Sequence, residues 1–215
     1  MRSKASTLAL VAALALSLTA VAAAAVLVGT NHSDRIVGTP EADQIRALAG
    51  NDWIAGRGGD DRIGAGQGND RAGGDGGTDS VFGGLGNDAV GGGEGNDLVR
   101  GGSGNDAVSG GPGDDKVAGN QGNDRVHGGH GSDSVYGGWG ADIATGGDGD
   151  DTLHALAPDG MRDILDCGHG NDTAIVLSSE RRRTRIVGCE TVTYVDVLTA
   201  EQDDGENAAA DADAE

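Results

Sequence analysis

An apolar residue recurs at every ninth position through the middle of the chain. Fourteen consecutive nine-residue units share it: Ile36, Ile45, Ile54, Ile63, Ala72, Val81, Val90, Val99, Val108, Val117, Val126, Val135, Ala144 and Leu153. Its neighbours are mostly small or polar, as in the segment Leu98-Val99-Arg100. A β-branched residue between such neighbours favours a very short strand with one side chain pointing inward. The pattern therefore predicts one short strand in every unit.

The segment between successive apolar residues is rich in glycine and must turn. With the apolar residue counted as the eighth of its unit, the fourth residue is glycine in twelve consecutive units: Gly50, Gly59, Gly68, Gly77, Gly86, Gly95, Gly104, Gly113, Gly122, Gly131, Gly140 and Gly149. A strand and a turn in each unit mean that two units, with two strands, complete one coil. Stacking these coils with parallel strands places the apolar residues on two inner walls. We therefore predict an all-β solenoid of about seven to eight coils.

Aspartate is the sixth residue of the same fourteen units: Asp34, Asp43, Asp52, Asp61, Asp70, Asp79, Asp88, Asp97, Asp106, Asp115, Asp124, Asp133, Asp142 and Asp151. Carboxylates and the carbonyls of glycine loops are the oxygen ligands that Ca²⁺ accepts in irregular geometry. Mg²⁺ prefers a tighter octahedron, and Zn²⁺ prefers histidine or cysteine, which the repeat lacks. The spacing favours calcium, while loops that merely turn without a metal remain the alternative.

The unit Gly101-Gly102-Ser103-Gly104-Asn105-Asp106-Ala107-Val108-Ser109 fits the pattern G-G-x-G-x-D-x-U-x, in which U is apolar. The chain thus resembles the RTX, or haemolysin-type, calcium-binding repeat proteins. The resemblance implies a right-handed parallel β-roll in which Ca²⁺ lies between two loops one coil apart. Sixth-position carboxylates and loop carbonyls would bind it. Asp88 with Asp106, and Asp97 with Asp115, would bracket ions on opposite edges.

The resemblance implies about ten to twelve Ca²⁺ ions. The aspartates expected to bind them are Asp52, Asp61, Asp70, Asp79, Asp88, Asp97, Asp106, Asp115, Asp124, Asp133, Asp142 and Asp151. The glycines expected to contribute are Gly83, Gly86, Gly92, Gly95, Gly101, Gly104, Gly110, Gly113, Gly119, Gly122, Gly128 and Gly131. Asp34 and Asp43 are weaker candidates, because their units lack the fourth glycine. Asp163 and Asp172 are also weaker, since they follow a three-residue shift of frame.

Composition adds a reason for the metal. The chain of 215 residues carries 42 glycines, only five aromatic residues and a formal charge of −20. This balance argues against nucleic acid or an anionic membrane as a partner and for cations. Twelve Ile, Val or Leu side chains bury too little apolar surface to offset the conformational entropy of fourteen glycine-rich units. We therefore expect folding to depend on Ca²⁺ binding.

The first residues are predicted to direct secretion. Arg2 and Lys4 precede an uncharged run over residues 5–28, and alanines near its end offer cleavage sites. Residues 1–25 are therefore interpreted as a signal peptide, with an uncleaved membrane anchor as the alternative. Either interpretation places the remaining residues outside the cytoplasm.

The carboxyl-terminal residues are predicted to close the roll. The roll itself is assigned to residues 26–175, and residues 176–200 form a cap whose apolar runs cover the last open edge. Cys167 and Cys189 are the only cysteines, and an even pair in a secreted chain favours a disulfide. Residues 201–215 are acidic with little to bury, which predicts disorder.

No sequence motif supports catalysis. The chain contains no H-E-x-x-H, no G-x-S-x-G and no phosphate-binding glycine loop. We therefore predict a secreted calcium-binding protein that is not an enzyme, with adhesion or a cell-surface adaptor role as the alternative. Its protein or glycan partner is not predicted. Ice binding is disfavoured because the third position of the unit carries no threonine ladder.

Three groups of residues suggest other binding sites, with weaker support than the calcium sites. The aromatic residues Trp53, Phe82, Tyr136 and Trp139 fall on outward strand or loop positions, where they suggest a sugar-binding surface. The arginines at 181, 182, 183 and 185 suggest a polyanion site. The pair His127 and His130 suggests a transition-metal site. Isolated exposed residues are the simpler interpretation of all three.

Overall fold

The computed structural model of the protein describes residues 24–196, which leaves the predicted acidic tail and residues 1–23 of the predicted signal peptide outside the described range. None of the described residues forms a helix long and apolar enough to cross a membrane. They form nineteen strands: β1 (Val26–Val28), β2 (Arg35–Val37), β3 (Gln44–Arg46), β4 (Trp53–Gly58), β5 (Arg62–Gln67), β6 (Arg71–Gly76), β7 (Ser80–Leu85), β8 (Ala89–Glu94), β9 (Leu98–Ser103), β10 (Ala107–Pro112), β11 (Lys116–Gln121), β12 (Arg125–His130), β13 (Ser134–Trp139), β14 (Ile143–Asp148), β15 (Thr152–Ala155), β16 (Ile164–His169), β17 (Thr173–Leu177), β18 (Arg185–Val187) and β19 (Thr191–Val195).

The strands form two parallel sheets that alternate along the chain. The odd-numbered strands build a ten-stranded sheet, the odd sheet, and the even-numbered strands build a nine-stranded sheet, the even sheet. Each strand pairs with the strand one coil later, so that Val99 lies beside Val117 and Val117 beside Val135. This register confirms the predicted all-β parallel solenoid. The solenoid has about nine turns rather than seven to eight, because strands outside the fourteen units extend both ends.

The core is a narrow seam between the two sheets. The eighth residue of each unit lies inside, and Ile63, Val81, Val99, Val117 and Val135 are fully shielded from solvent. The next inward position is the first residue of the following unit, which is glycine or, in a few units, alanine. One apolar side chain per strand therefore supplies most of the core. The interior therefore has little apolar volume for its length.

The frame shift of three residues is absorbed in one loop. Ala144 pairs with Leu165, and Leu153 pairs with Ala174, so these partners lie farther apart in the sequence than those of the regular coils. Leu156 in the intervening loop is completely buried. The backbone N–H of Gly140 donates a hydrogen bond of 2.5 Å to Asp159 Oδ2 in the same loop. The extra residues therefore leave the strands in register.

The predicted disulfide is confirmed between Cys167 and Cys189. The disulfide joins Cys167 in β16 to Cys189, which lies two residues after the end of β18. Strand β18 extends the even sheet by one parallel strand, and β19 extends the odd sheet by one. These two strands thus form one more coil, which the disulfide links covalently to β16. Closing a loop of this length stabilises a fold by about 3 kcal/mol in the chain-entropy model.

Candidate metal centre

The sixth-position aspartates form two ladders along the edges of the solenoid. Every sixth-position aspartate from Asp43 to Asp151 is buried. The backbone N–H of Asp88 donates to Asp106 Oδ1, and that of Asp97 donates to Asp115 Oδ1, each at 2.8 Å. The same bond recurs along both edges. The residue pairs predicted to bracket an ion are therefore direct neighbours in successive coils.

The second oxygen of each ladder carboxylate has no partner. In thirteen aspartates Oδ2 is buried and accepts no hydrogen bond: Asp52, Asp61, Asp70, Asp79, Asp88, Asp97, Asp106, Asp115, Asp124, Asp133, Asp142, Asp151 and Asp172. A buried charged oxygen without a donor is strongly unfavourable. A row of acceptors with no donor is the arrangement that a bound cation stabilises.

At several first-position glycines, a backbone carbonyl lies near the unpaired carboxylate oxygen. The position where a Cβ on Gly83 would stand is 2.6 Å from Asp88 Oδ2 and 2.5 Å from the carbonyl oxygen of Gly101. The equivalent position on Gly119 lies between the carboxylate of Asp124 and the carbonyl of Gly137. Glycine at the first position of the unit thus brings carboxylate and carbonyl oxygens together. This donor set suits Ca²⁺, and the residues present fit the ion that the sequence predicts.

Burial raises the pKa of most ladder carboxyls, although the backbone hydrogen bond that each of these accepts partly lowers it. The pKa rises to about 7 at Asp88, Asp124, Asp133 and Asp142. It rises to about 6 at the following residues: Asp79, Asp106, Asp115, Asp151 and Asp163. Repulsion between neighbouring carboxylates adds to this effect at most of these sites. Without a cation, the ladder therefore holds its negative charge poorly near neutral pH.

The first two units satisfy their carboxylates differently. Asp34 Oδ2 accepts hydrogen bonds from the backbone N–H and the hydroxyl of Thr30, at 2.6 and 2.9 Å. Asp43 Oδ2 accepts the N–H of Thr39 at 2.5 Å. Burial acts to raise the pKa of Asp43, but the hydrogen bonds from Thr39 and Ala25 outweigh it and hold the pKa below its usual value. These two aspartates have less need of a cation than the others.

The ladder continues beyond the frame shift. Asp163 Oδ1 accepts the N–H of Asp142 at 3.1 Å, and Asp172 Oδ1 accepts that of Asp151 at 2.8 Å. The N–H of Asp172 in turn donates to Glu190 Oε2 at 2.7 Å. Glu190 therefore ends the ladder in the place of a further aspartate, a role that the sequence analysis missed. Its position one regular coil after Asp172 was the available signal.

The other candidate sites are less supported. Among residues 24–196, no three histidine, cysteine, aspartate or glutamate side chains are placed to hold a metal ion. His130 instead contacts the carboxylate of Asp148 at 3.0 Å. Trp53 and Trp139 are exposed as expected, but Tyr136 is buried and stacks on His154, with ring centroids 4.1 Å apart. A ladder-bound ion would therefore take its remaining ligands from backbone carbonyls, side-chain amides or water.

The fourth glycine of the unit is required by the backbone. Gly95 has a φ of 128°, which residues with a side chain rarely adopt, and a Cβ there would collide with the carbonyl of Gly77. Gly91, four residues earlier, has no positive φ and no atom closer than 3.8 Å to its Cβ position. The two glycines offer a matched comparison between adjacent repeat units.

We expect Gly95→Ala to destabilise the Ca²⁺-loaded protein by about 2 kcal/mol or more, because it forces both strain and a collision with a neighbouring coil. Gly91→Ala should leave stability unchanged or raise it slightly, since alanine restricts the unfolded chain. Urea unfolding of both variants in excess Ca²⁺ measures the difference. Equal stability of the two variants would contradict the role of the fourth glycine.

A family model described as the RTX calcium-binding nonapeptide repeat, four copies, matches the chain in overlapping segments: residues 28–63, 37–72, 65–90, 73–108, 90–117, 109–144 and 118–153. Together these segments cover residues 28–153 without a gap, which is more than half of the chain. No curated protein matches the chain. The matched segments include the twelve aspartates from Asp52 to Asp151.

Proposed function

Because the chain belongs to the RTX calcium-binding nonapeptide repeat family, we propose that it is a secreted protein that folds as it binds Ca²⁺ and has no enzymatic activity of its own. Calcium is the expected partner of such repeats. One observation carries the proposal: thirteen buried aspartate oxygens accept no hydrogen bond. They line both edges of the solenoid, where a bound cation relieves their charge at a pH that keeps the carboxyls ionised.

The ions act as links between successive coils. The ligands that we propose are the carboxylates from Asp52 to Asp151 together with carbonyls of the first and fourth glycines in their units. A bound Ca²⁺ supplies positive charge between oxygens that otherwise repel one another. Since the apolar seam between the sheets is narrow, this attraction contributes a large part of the stability of the folded state.

Two features support secretion. The chain has an N-terminal run with the pattern of a signal peptide. The Cys167–Cys189 disulfide is of a kind that persists in oxidising compartments. The extracellular medium also holds free Ca²⁺ at about 1 mM, a concentration that fills modest-affinity sites of extracellular modules. The chain would therefore meet its ligand on leaving the cell.

The number of bound ions tests the proposed sites. We expect about ten to twelve Ca²⁺ per molecule after dialysis against about 1 mM CaCl₂, measured by elemental analysis against protein concentration. Replacing Asp88, Asp106 and Asp124 together by asparagine should remove several ions, since these carboxylates are consecutive in one ladder.

The exposed residue Asp148 provides the control, because it lies on the outer surface of β14 rather than in a ladder. Asp148→Asn should retain the full number of ions. Fewer than a handful of ions in the unsubstituted protein, or equal loss in both variants, would overturn the assignment of the ligands.

A further inference from the structure

The two sheets differ in the charge that they carry. None of the ten strands of the odd sheet contains an aspartate or a glutamate, although the chain as a whole has a charge of −20. The even sheet carries acids within its strands: Asp75, Glu94, Asp148 and Asp166. Bases occur in both sheets. The strands of the odd sheet therefore carry bases without acids, although the protein as a whole is strongly acidic.

The bases of the odd sheet cluster around aromatic rings. Arg62 and Arg100 lie over the ring of Phe82, with distances of 5.5 and 5.8 Å from the guanidinium carbon to the ring centroid. The ammonium of Lys116 lies 5.4 Å from the ring centroid of Tyr136. We call the surface formed by Arg62, Phe82, Arg100 and Lys116 the basic face. It extends over the neighbouring strands β5, β7, β9 and β11.

The charges of the basic face are not neutralised within the described part of the chain. The ion pairs found among residues 24–196 involve none of Arg62, Arg100 and Lys116. The Nε of Arg100 is buried and donates to no acceptor. A buried guanidinium nitrogen without an acceptor is unfavourable and is relieved by a carboxylate or another anion. The basic face therefore has the chemistry of a docking surface for an acidic segment.

The carboxyl-terminal residues are acidic, and they begin close to the odd sheet. Residues 201–215 carry seven acids and no base. They follow shortly after β19, which is the last strand of the odd sheet itself. Seven inter-strand steps of about 4.8 Å separate β19 from β5, or about 34 Å. The nineteen residues after 196 span up to about 60 Å when extended, so they reach the whole basic face.

We propose that residues 201–215 of this chain dock on the basic face of the odd sheet. The tethered segment is favoured over a separate polyanion as the occupant, because its effective concentration at the face is in the millimolar range. Docking of residues 201–215 thus covers the one basic surface of the odd sheet. It is also sensitive to salt, since several of its contacts are exposed ion pairs.

Lys116 reports on docking, since it is the only lysine among residues 24–196. The experiment uses the full-length, Ca²⁺-loaded protein and measures the rate of amine acylation at Lys116 by mass spectrometry. The variant to compare neutralises the terminal acids: Glu201→Gln, Asp203→Asn, Asp204→Asn, Glu206→Gln, Asp211→Asn, Asp213→Asn and Glu215→Gln. We expect acylation several-fold faster in this variant at low salt, and equal rates at about 0.5 M NaCl, where charges are screened.

A matched pair of variants locates the contact. Replacing Arg62 and Arg100 by glutamine should speed acylation of Lys116 in the chain with intact terminal acids. Replacing Arg71 and Arg125, two exposed bases of the even sheet, should not. Circular dichroism confirms that each variant is folded.

Three results would overturn the proposal. The first is an equal rate at low salt in the unsubstituted protein and the variant with neutral terminal residues. The second is equal acceleration by the odd-sheet and even-sheet pairs, which indicates a general field rather than a docking site. The third concerns added polyphosphate. If polyphosphate protects Lys116 equally well in the unsubstituted protein and in the variant with neutral terminal residues, the basic face is open in both proteins.

Discussion

Chelating Ca²⁺ with EDTA at about pH 8 is expected to unfold the protein, and adding Ca²⁺ back should restore it in one cooperative transition. From Asp52 to Asp151 the ladder carboxylates are buried and unpaired at Oδ2, so the metal-free fold carries uncompensated charge along both ladders. Each site with a Kd of about 0.1 mM contributes about 1.4 kcal/mol at about 1 mM Ca²⁺. Ten such sites contribute about 14 kcal/mol, which equals the whole stability of an ordinary domain.

Far-ultraviolet circular dichroism during a Ca²⁺ titration measures this dependence. Mg²⁺ at the same concentration is the control, and it should restore much less strand signal because it requires near-ideal octahedral geometry and keeps its waters. Cooperativity is expected since each coil folds on the one before it. A full strand signal in EDTA at this pH would show that the apolar seam and the backbone hydrogen bonds suffice without metal.

Acidification of the metal-free protein is expected to have the opposite effect to chelation. Burial raises the pKa of nine ladder carboxyls to about 6 or 7 in the folded state. Their pKa in the unfolded chain is about 3.9. A raised pKa favours the folded state when the group is protonated. This contribution is fully present below about pH 4 and is lost as the pH rises through 6 to 7.

The metal-free chain should therefore be more folded at about pH 5 than at about pH 8. Ca²⁺ requires the same carboxyls in their charged form, so half-saturation should need about tenfold more Ca²⁺ at pH 6 than at pH 8. The free energies of unfolding with and without Ca²⁺ should thus converge on acidification. Parallel urea titrations across this range measure both.

Asparagine variants separate the ladder from general charge. Replacing Asp88, Asp124 and Asp142 by asparagine keeps the size of each side chain, removes its titration and offers an N–H₂ donor to nearby carbonyls. Such a variant should bind fewer ions, and its metal-free stability should respond less to pH. If the metal-free chain instead lost structure steadily from pH 8 to pH 5, the raised pKa values would not govern its stability.

The strand pattern shows how far a sequence can predict this kind of fold. Val99, Val117 and Val135 stand one coil apart in the sequence and side by side in one sheet. The strand register is the same from coil to coil because each coil has the same length and an apolar side chain at the same inward position. Prediction was poorer at the two ends, where Val26–Val28 and Arg185–Val187 join the sheets without the glycine and aspartate pattern. The number of coils was therefore underestimated.

The sequence predicted which residues form the candidate calcium sites, but it did not predict the hydrogen bonds that their carboxylates make. The period of Asp88 and Asp106 placed them in neighbouring loops, and their type indicated Ca²⁺. No sequence pattern indicated that one oxygen of each carboxylate accepts a backbone N–H while the other is unpaired. Likewise, Thr30 and Thr39 were not recognised as the residues that satisfy Asp34 and Asp43. Such contacts depend on side-chain direction across coils, which the period does not specify.

The amino-acid sequence by itself determined the nine-residue repeat, the two apolar walls, the aspartate ladders and the preference for calcium, because each follows from residue type at a fixed spacing. Only the tertiary structure decided which carboxylate oxygens lack a donor, where Glu190 ends the ladder, and that the strands of the odd sheet carry bases without acids. Those properties arise from atoms of different coils that come within a few ångströms of one another. Their positions become fixed only when the coils stack.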